Sequence, residues 1–427
     1  MTPSDPRPPS AVSSGVGWAG LAGLLMWTGA ARVWQLAGPY GAIVAVLACG
    51  VPMVLWSLLI DKVHRSPTTG LDWSRPLRPW RETIDISLTK FAGLWATWFA
   101  IAAFYACGRW YWRDNYLYAM DFFQALAPWL VAASIPYVLW IDRRLADPRD
   151  GAYAFGQWLL GQGEPDRAAM HEHFRQWAVK GFFTAFMVSI VPGNYADVVT
   201  WNLYDAFADP VSMTRFLIAL MFLIDVAMAT VGYLLTCKPL DAHIRLANPY
   251  AAGWTAALLC YPPFVLMGPG SPLDYHPGTQ EWSVWLQWHP WLLAGCGAVL
   301  VALTAIYAWA TVAFGLRFSN LTHRGILTHG PYRFTKHPAY LSKNAFWWIS
   351  TAPFLVTNGS LVDAVRNTAI LGVVSGIYYW RARTEEAHLG ADPAYVAYAQ
   401  WMERNAPIPR ALRWLKGEQK PHPIAAE

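Results

Sequence analysis

An α-helix needs roughly 20 mostly apolar residues to cross the hydrocarbon of a bilayer, and runs of that kind recur along this chain from end to end. Ten candidates fall at about 18–37, 40–60, 89–110, 118–141, 177–198, 214–236, 251–268, 287–314, 340–357 and 361–380. The fifth is the weakest, because Pro192, Gly193 and Asn194 interrupt its end. In hydrocarbon no water is present to take the backbone N–H and C=O groups, so each run has to satisfy them within itself as a helix. The composition agrees: only 14% of the 427 residues are charged, against about 25% in a soluble domain. The 26 tryptophans and 20 tyrosines suit two aromatic belts at the membrane interfaces. The expected fold is an all-α integral membrane protein, a polytopic bundle of about ten transmembrane helices.

The positive charge supplies a second reading. Lys62, Arg65, Arg75, Arg78 and Arg81 follow the second run, and Arg143, Arg144, Arg149, Arg167 and Arg175 follow the fourth. Lys238 and Arg245 follow the sixth, and Arg317, Arg324, Arg333 and Lys336 follow the eighth. The alternate connections at 199–213 and 269–286 carry Asp205, Asp209, Asp274 and Glu281. Basic connections favour the cytosolic side. The pattern therefore predicts both termini in the cytosol, with Arg32, Arg113 and Arg366 as exceptions near the outer ends. The net charge of +5 is accounted for by this sidedness and does not point to nucleic acid. The setting expected is a bacterial inner membrane.

The opening "MTPSDPRPPSAVSSGVG", residues 1–17, is rich in proline and serine and is expected to be disordered. It lacks the compact apolar core and cleavage site of a signal peptide. Cys49, Cys107, Cys237, Cys260 and Cys296 show no paired spacing and read as small buried hydrophobes. His171 and His173 in "MHEHFRQW" are two apart rather than the four of a helical metal pair, so no metal site is expected. Asp225 stands in the middle of an apolar run, and an intramembrane carboxylate is a functional candidate by default.

The most polar island between two late runs is "THGPYRFTKHPAY", residues 328–340. Gly330-Pro331 sets a turn, and Pro338 suits the first position of the ninth helix. His337 then falls near the helix cap, beside free N–H groups that can take a carboxylate or phosphate. Arg333, Lys336 and Lys343 add positive charge. The ninth and tenth runs are joined by "NGSL" at 358–361, so a tight hairpin is expected to bring their cytosolic ends together. The far end of the tenth run reads "YYWRARTEEAHL", with Arg381 and Glu385 four apart on one helical face and Glu386 on the next. Tyr395, Tyr398 and Trp401 follow in an amphipathic tail.

"GPYRFTKHPAY", a helical hairpin and "RARTEEAHL" with two later tyrosines together resemble the C-terminal module of the isoprenylcysteine carboxyl methyltransferase family, which is related to phospholipid N-methyltransferases. The resemblance covers the C-terminal quarter of the chain. It implies S-adenosylmethionine as cofactor, held by Arg324, Gly325, Ile326 and Leu327, by Tyr332, and by His337, Pro338, Ala339 and Tyr340. It also implies that Arg381 and Glu385 are the substrate-orienting arginine and catalytic-site glutamate. Lys336 stands where the family usually has arginine, "HRGIL" replaces a His-x-Leu-Val run, and no Phe-Gly follows the paired glutamates.

The organisation expected is thus a tail at 1–17, a multi-pass region of unassigned role at 18–286, and a methyltransferase module at 287–427. The acceptor expected is a membrane lipid or lipidated small substrate reached from the bilayer, with methylation of a carboxylate favoured over an amine. The charge and pattern do not fix the oligomeric state. Two other classes remain open. An NADPH-dependent sterol or enone reductase shares a similar hairpin, and a transporter would use Asp225 as its intramembrane charge.

Overall fold

The computed structural model describes residues 7–407, 409, 410 and 415, and is built almost wholly of helix. In chain order the helices are α1 (Ser14–Val33), α2 (Pro39–Leu55), α3 (Trp80–Cys107), α4 (Asn115–Arg144), α5 (Gly151–Leu160), α6 (Arg167–Thr200) and α7 (Leu203–Ala206). There follow α8 (Pro210–Leu234), α9 (Ala251–Leu258), α10 (Trp282–Trp285), α11 (Pro290–Phe314), α12 (Pro338–Thr351), α13 (Leu361–Leu389) and α14 (Pro393–Asn405). The strands among the described residues form one two-residue antiparallel ladder, pairing Leu246 with His323 and Ala247 with Thr322.

Among the described residues seven helices are long and apolar enough to cross a membrane, so the chain is a multi-pass helical membrane protein. They are α2 with its extension to Ile60, α3, α4, α6, α8, α11 with its closing turn to Arg317, and α13. Ten such helices were expected, and the three differences have local causes. In α1, glycine, tryptophan and Arg32 dilute the apolar content. The run at 251–268 is helical only as far as Leu258, since Pro262 and Pro263 have no N–H to continue the ladder. The run at 340–357 stops at Thr351, where Ala352 turns left-handed at φ +43° before Pro353, a position from which the helical region is disfavoured. The α12–α13 connection is therefore 352–360, longer than the expected four-residue link. By contrast α6 runs unbroken through Pro192 and on to Thr200.

Helix α8 is the centre of the bundle. Every residue from Leu223 to Tyr233 is buried, as befits a helix that is apolar all round. The fully buried Leu24, Met53, Val198, Leu223, Met228 and Val231 pack α1, α2, α6 and α8 into one core. Packing also runs across residue 286. Tyr275 forms a buried cluster with Leu371, Val374 and Tyr378 of α13.

The basic connections gather at one end of the bundle. There Ser13 bonds Asp61 (2.6 Å), Thr68 bonds Asp241 (2.7 Å), Arg144 bonds the Asp72 carbonyl (3.1 Å), and His323 meets Asp392 (2.9 Å). At the other end Arg32 bonds the carbonyls of Val198 and Trp201, Arg215 meets Glu281 (3.2 Å), and Asn367 bonds the Pro277 carbonyl (2.8 Å). Of the tail expected to be disordered, residues 1–6 lie outside the described residues, as does the end of the expected C-terminal module beyond 415. Residues 7–13 lie along the segment 326–329. The Ala11 N–H donates to the Ile326 carbonyl (2.9 Å), and Thr328 Oγ1 donates to the Pro8 carbonyl (2.7 Å).

Candidate functional site

Two helix ends make the site. Pro338 occupies the first position of α12, and His337 caps it without a side-chain bond to the backbone. The turn before it needs glycine: Gly330 has φ +58°, and an added Cβ would stand 3.1 Å from the Ala313 methyl. The last three turns of α13 come alongside, carrying Arg381, Glu385 and Glu386 on their way to Leu389.

The halves are tied by carboxylates. The Tyr340 hydroxyl donates to Glu385 Oε2 at 2.9 Å. His337 Nε2 lies 3.0 Å from Glu386 Oε1, Lys336 Nζ is 2.7 Å from the same oxygen, and Arg383 reaches Oε2 at 2.7 Å. The His337 ring stacks on Tyr340, with centroids 5.5 Å apart and planes 9° from parallel. Glu385 keeps the freer carboxylate, its side chain being 41% exposed.

Arg381 is 7% exposed, which sets it apart from an ordinary surface pair with Glu385. Among the described residues the two make no ion pair with each other. Its guanidinium carbon lies 5.1 Å from the Tyr340 ring centroid and 5.5 Å from that of Tyr261. One Nη2 bond, 2.5 Å long, goes to Asn320 Oδ1, and Asn320 in turn donates to the Tyr261 hydroxyl at 3.1 Å. Among the described residues its other N–H groups have no acceptor. A cation held between aromatic faces with donors to spare is equipped to grip an anion in a bidentate fork.

The structure thus brings His337, Pro338, Ala339, Tyr340, Arg381 and Glu385 to one place. Tyr332 stands within electrostatic range of Glu385 and Tyr340, while the side chains of Arg324, Ile326 and Leu327 are committed elsewhere. Arg324 is fully enclosed, and its guanidinium bonds the carbonyls of Gly232 (2.9 Å), Phe318 (2.7 Å), Leu316 (2.9 Å) and Ala242. Burial and the neighbouring Arg317 lower its pKa to about 9, so it stays charged at neutral pH. Gly325, at φ +108°, leaves no room for a side chain beside Arg317 and Ala11. Ile326 packs on Tyr395, Tyr398 and Met402, and Leu327 enters the main core. Tyr332 sets its ring against Phe314 and accepts the Tyr398 hydroxyl on its carbonyl (2.6 Å). Burial raises its phenol pKa well above the ordinary value.

Comparison with protein-family models, with curated proteins and with solved structures finds no match for this chain.

Four partners escaped the sequence. Asn320 and Tyr261 reach Arg381 from segments far away in the chain, and nothing in their local pattern marks them. The partners of Asp225 are Tyr307 (2.9 Å) and Thr311 of α11, residues four apart on one helical face. That spacing was the available signal. The Lys343 ammonium sits among the rings of Tyr307, Trp347 and Tyr378, 5.3–5.9 Å from their centroids. Among the described residues no group of three or more His, Cys, Asp or Glu is placed to hold a metal.

A cavity of about 510 Å³ opens at the basic end, lined by Val12, Lys62, Arg65, Asp241 and Arg317 among others. It does not include His337, Tyr340, Arg381 or Glu385, whose polar atoms are largely turned on one another. Size alone favours the cavity as a binding site; the N–H groups of Arg381 that lack an acceptor among the described residues and the open helix start favour the cluster. The cluster is the better candidate, because its groups are chemically matched to each other.

Proposed function

We propose that this protein is an S-adenosylmethionine-dependent methyltransferase of the membrane, acting on a carboxylate of a lipid or lipidated acceptor. The observation that carries the reading is the joining of the two motif halves, Tyr340 to Glu385 and His337 to Glu386. The resemblance to the isoprenylcysteine carboxyl methyltransferase family names three of these four residues, His337, Tyr340 and Glu385. The residues fit the cofactor at the start of α12, where N–H groups without a side-chain cap can take an amino-acid carboxylate.

The cofactor, when bound, supplies an electrophilic methyl on a sulfonium. Methyl transfer is an in-line displacement, in which the new oxygen–carbon bond forms as the carbon–sulfur bond breaks. Holding the two reactants in line supplies much of the rate. A carboxylate acceptor is already ionised and needs no base. It needs an orienting cation, the part we give to the free N–H groups of Arg381. Glu385, held by Tyr340, would offer negative charge to a cationic sulfonium bound beside it. With an amine acceptor Glu385 would instead have to remove a proton, and the buried cation beside it makes the anionic acceptor the better fit.

The gathering of basic connections at one end supports a cytosolic site with both termini on that side, and we infer a bacterial inner membrane. Incubating membranes with methyl-labelled cofactor, then extracting lipids, tests the chemistry. The label is expected in a lipid fraction and should be released by mild base as methanol, as from an ester. Label in an amine that resists base would exclude the carboxylate acceptor.

A further inference from the structure

A second, smaller pocket of about 200 Å³ lies where the N-terminal segment meets the turn before α12, lined by Arg7, Ser14, Trp18, Trp309, His329 and Arg333 among others. We propose that it binds the phosphate of an anionic phospholipid at the basic face of the membrane. This goes beyond the methyltransferase reading and does not depend on it.

The charge in the pocket is one-sided. Among the described residues no acidic side chain lines it, and neither arginine makes an ion pair. Arg7 lies over the Trp401 ring (5.9 Å) and Arg333 over Phe334 (5.1 Å). Two guanidinium groups on one small cavity match a phosphate, which arginine binds through paired N–H groups.

His329 adds a neutral donor. Its Nδ1 is 2.8 Å from Ser10 Oγ, and that oxygen is itself the acceptor for the Thr328 N–H. Among the described residues the Ser10 hydroxyl proton has no acceptor other than Nδ1, and donating there puts the ring proton on Nε2. That N–H is buried without a partner. Burial, with Arg7 next to it, lowers the ring's pKa, so the ring is neutral and the positive charge comes from the arginines.

Size and setting select the ligand. The volume is below the roughly 300–1,000 Å³ of small-molecule sites, enough for a headgroup and too little for a nucleoside cofactor. The two tryptophans stand on α1 and on the spanning helix α11, and are 55% and 38% exposed. Indole rings prefer the headgroup layer, and basic pockets between helices on that side are where anionic lipids seat. A phosphate there would also join Arg7 to Arg333, clamping the N-terminal segment onto residues 326–329.

The test uses the full-length protein, delipidated in detergent, with thermal unfolding read on adding phosphatidylglycerol, phosphatidylcholine or inorganic phosphate. Phosphatidylglycerol is expected to raise Tm by several degrees more than phosphatidylcholine. That difference should vanish in Arg7→Gln/Arg333→Gln and return in part in Arg7→Lys/Arg333→Lys, which restores the charge without the paired N–H groups. An equal response in the wild type and the glutamine variant would overturn the site. A shift with inorganic phosphate as large as with the lipid would overturn the lipid and leave a free-phosphate site. Should the double variant fail to fold, native mass spectrometry of the single Arg333→Gln decides. It is expected to retain less anionic lipid than the wild type, and equal retention would refute the proposal.

Discussion

The Tyr340 hydroxyl donates to Glu385 across 2.9 Å, and the same tyrosine ring lies 5.1 Å from the guanidinium carbon of Arg381. One side chain of α12 thus positions both candidate catalytic groups of α13. Tyr340→Phe separates the two roles, keeping the ring and removing the hydroxyl. A hydrogen bond to a charged group is worth about 1.5–3 kcal/mol, so methyl transfer should fall by roughly ten- to a hundredfold with little change in melting temperature. Initial rates with labelled cofactor check it. Full activity in Tyr340→Phe would show that Glu385 needs no such support.

Arg381→Lys keeps a positive charge but lacks the planar fork that lies between Tyr261 and Tyr340 and bonds Asn320. Lysine is not an equivalent replacement at a stacked, bidentate site. The expected result is a KM for the acceptor raised about tenfold or more, a loss of roughly 1.4 kcal/mol, with cofactor affinity nearly unchanged. Comparing acceptor KM with cofactor Kd in this variant separates the two sites. A fall in cofactor affinity alone would move Arg381 to the cofactor.

Arg324 carries the opposite expectation, since its guanidinium bonds four backbone carbonyls inside the fold. Arg324→Met leaves those acceptors buried without donors, at roughly 1–3 kcal/mol for each group stranded. Membrane yield and melting temperature should drop sharply. A variant that folds like the wild type yet fails to bind cofactor would restore the side chain to the binding site.

His243 gives a pH signature at the basic end. Burial pushes its pKa down to about 4 against the opposing pull of Asp241, with Lys238, Arg245 and Arg317 also depressing it. Between that value and an unfolded value of about 6.5 the unfolded chain binds the extra proton, so stability rises with pH across the window. It is lost as pH falls from about 6.5 to 4 and changes no further below. The ceiling is on the order of 3 kcal/mol at 1.36 kcal/mol per pKa unit. Denaturation midpoints between pH 4 and 7 for wild type and His243→Gln check this, the variant being expected to show the flatter profile.

Most of the helices were legible because a membrane span announces itself by length and apolarity, and α2, α3, α4, α6, α8, α11 and α13 all coincide with expected runs. Hydropathy alone did not register that Pro262, Pro263 and Pro353 would cut two runs short, because proline is no obstacle to an apolar average and a real one to a hydrogen-bond ladder. In the candidate site, the meeting of His337 and Tyr340 with Glu385 and Glu386 was expected from sequence order, although the α12–α13 link is 352–360 and not the tight four-residue hairpin expected. The embedding of Arg381 was not, since Tyr261 and Asn320 are 120 and 61 positions from it in the sequence. Arg324 shows the converse: a motif position whose side chain the fold uses for its own carbonyls.

The most direct measurement is calorimetric titration of the purified full-length protein with S-adenosylmethionine and, separately, with NADPH, in the wild type, His337→Ala and Arg381→Ala. Saturable binding of S-adenosylmethionine is expected, none of NADPH, and a cofactor Kd weakened about tenfold or more, roughly 1.4 kcal/mol, by His337→Ala. Arg381→Ala should still bind the cofactor but no longer methylate the acceptor. No S-adenosylmethionine binding, or binding and turnover indifferent to both substitutions, would contradict the methyltransferase reading.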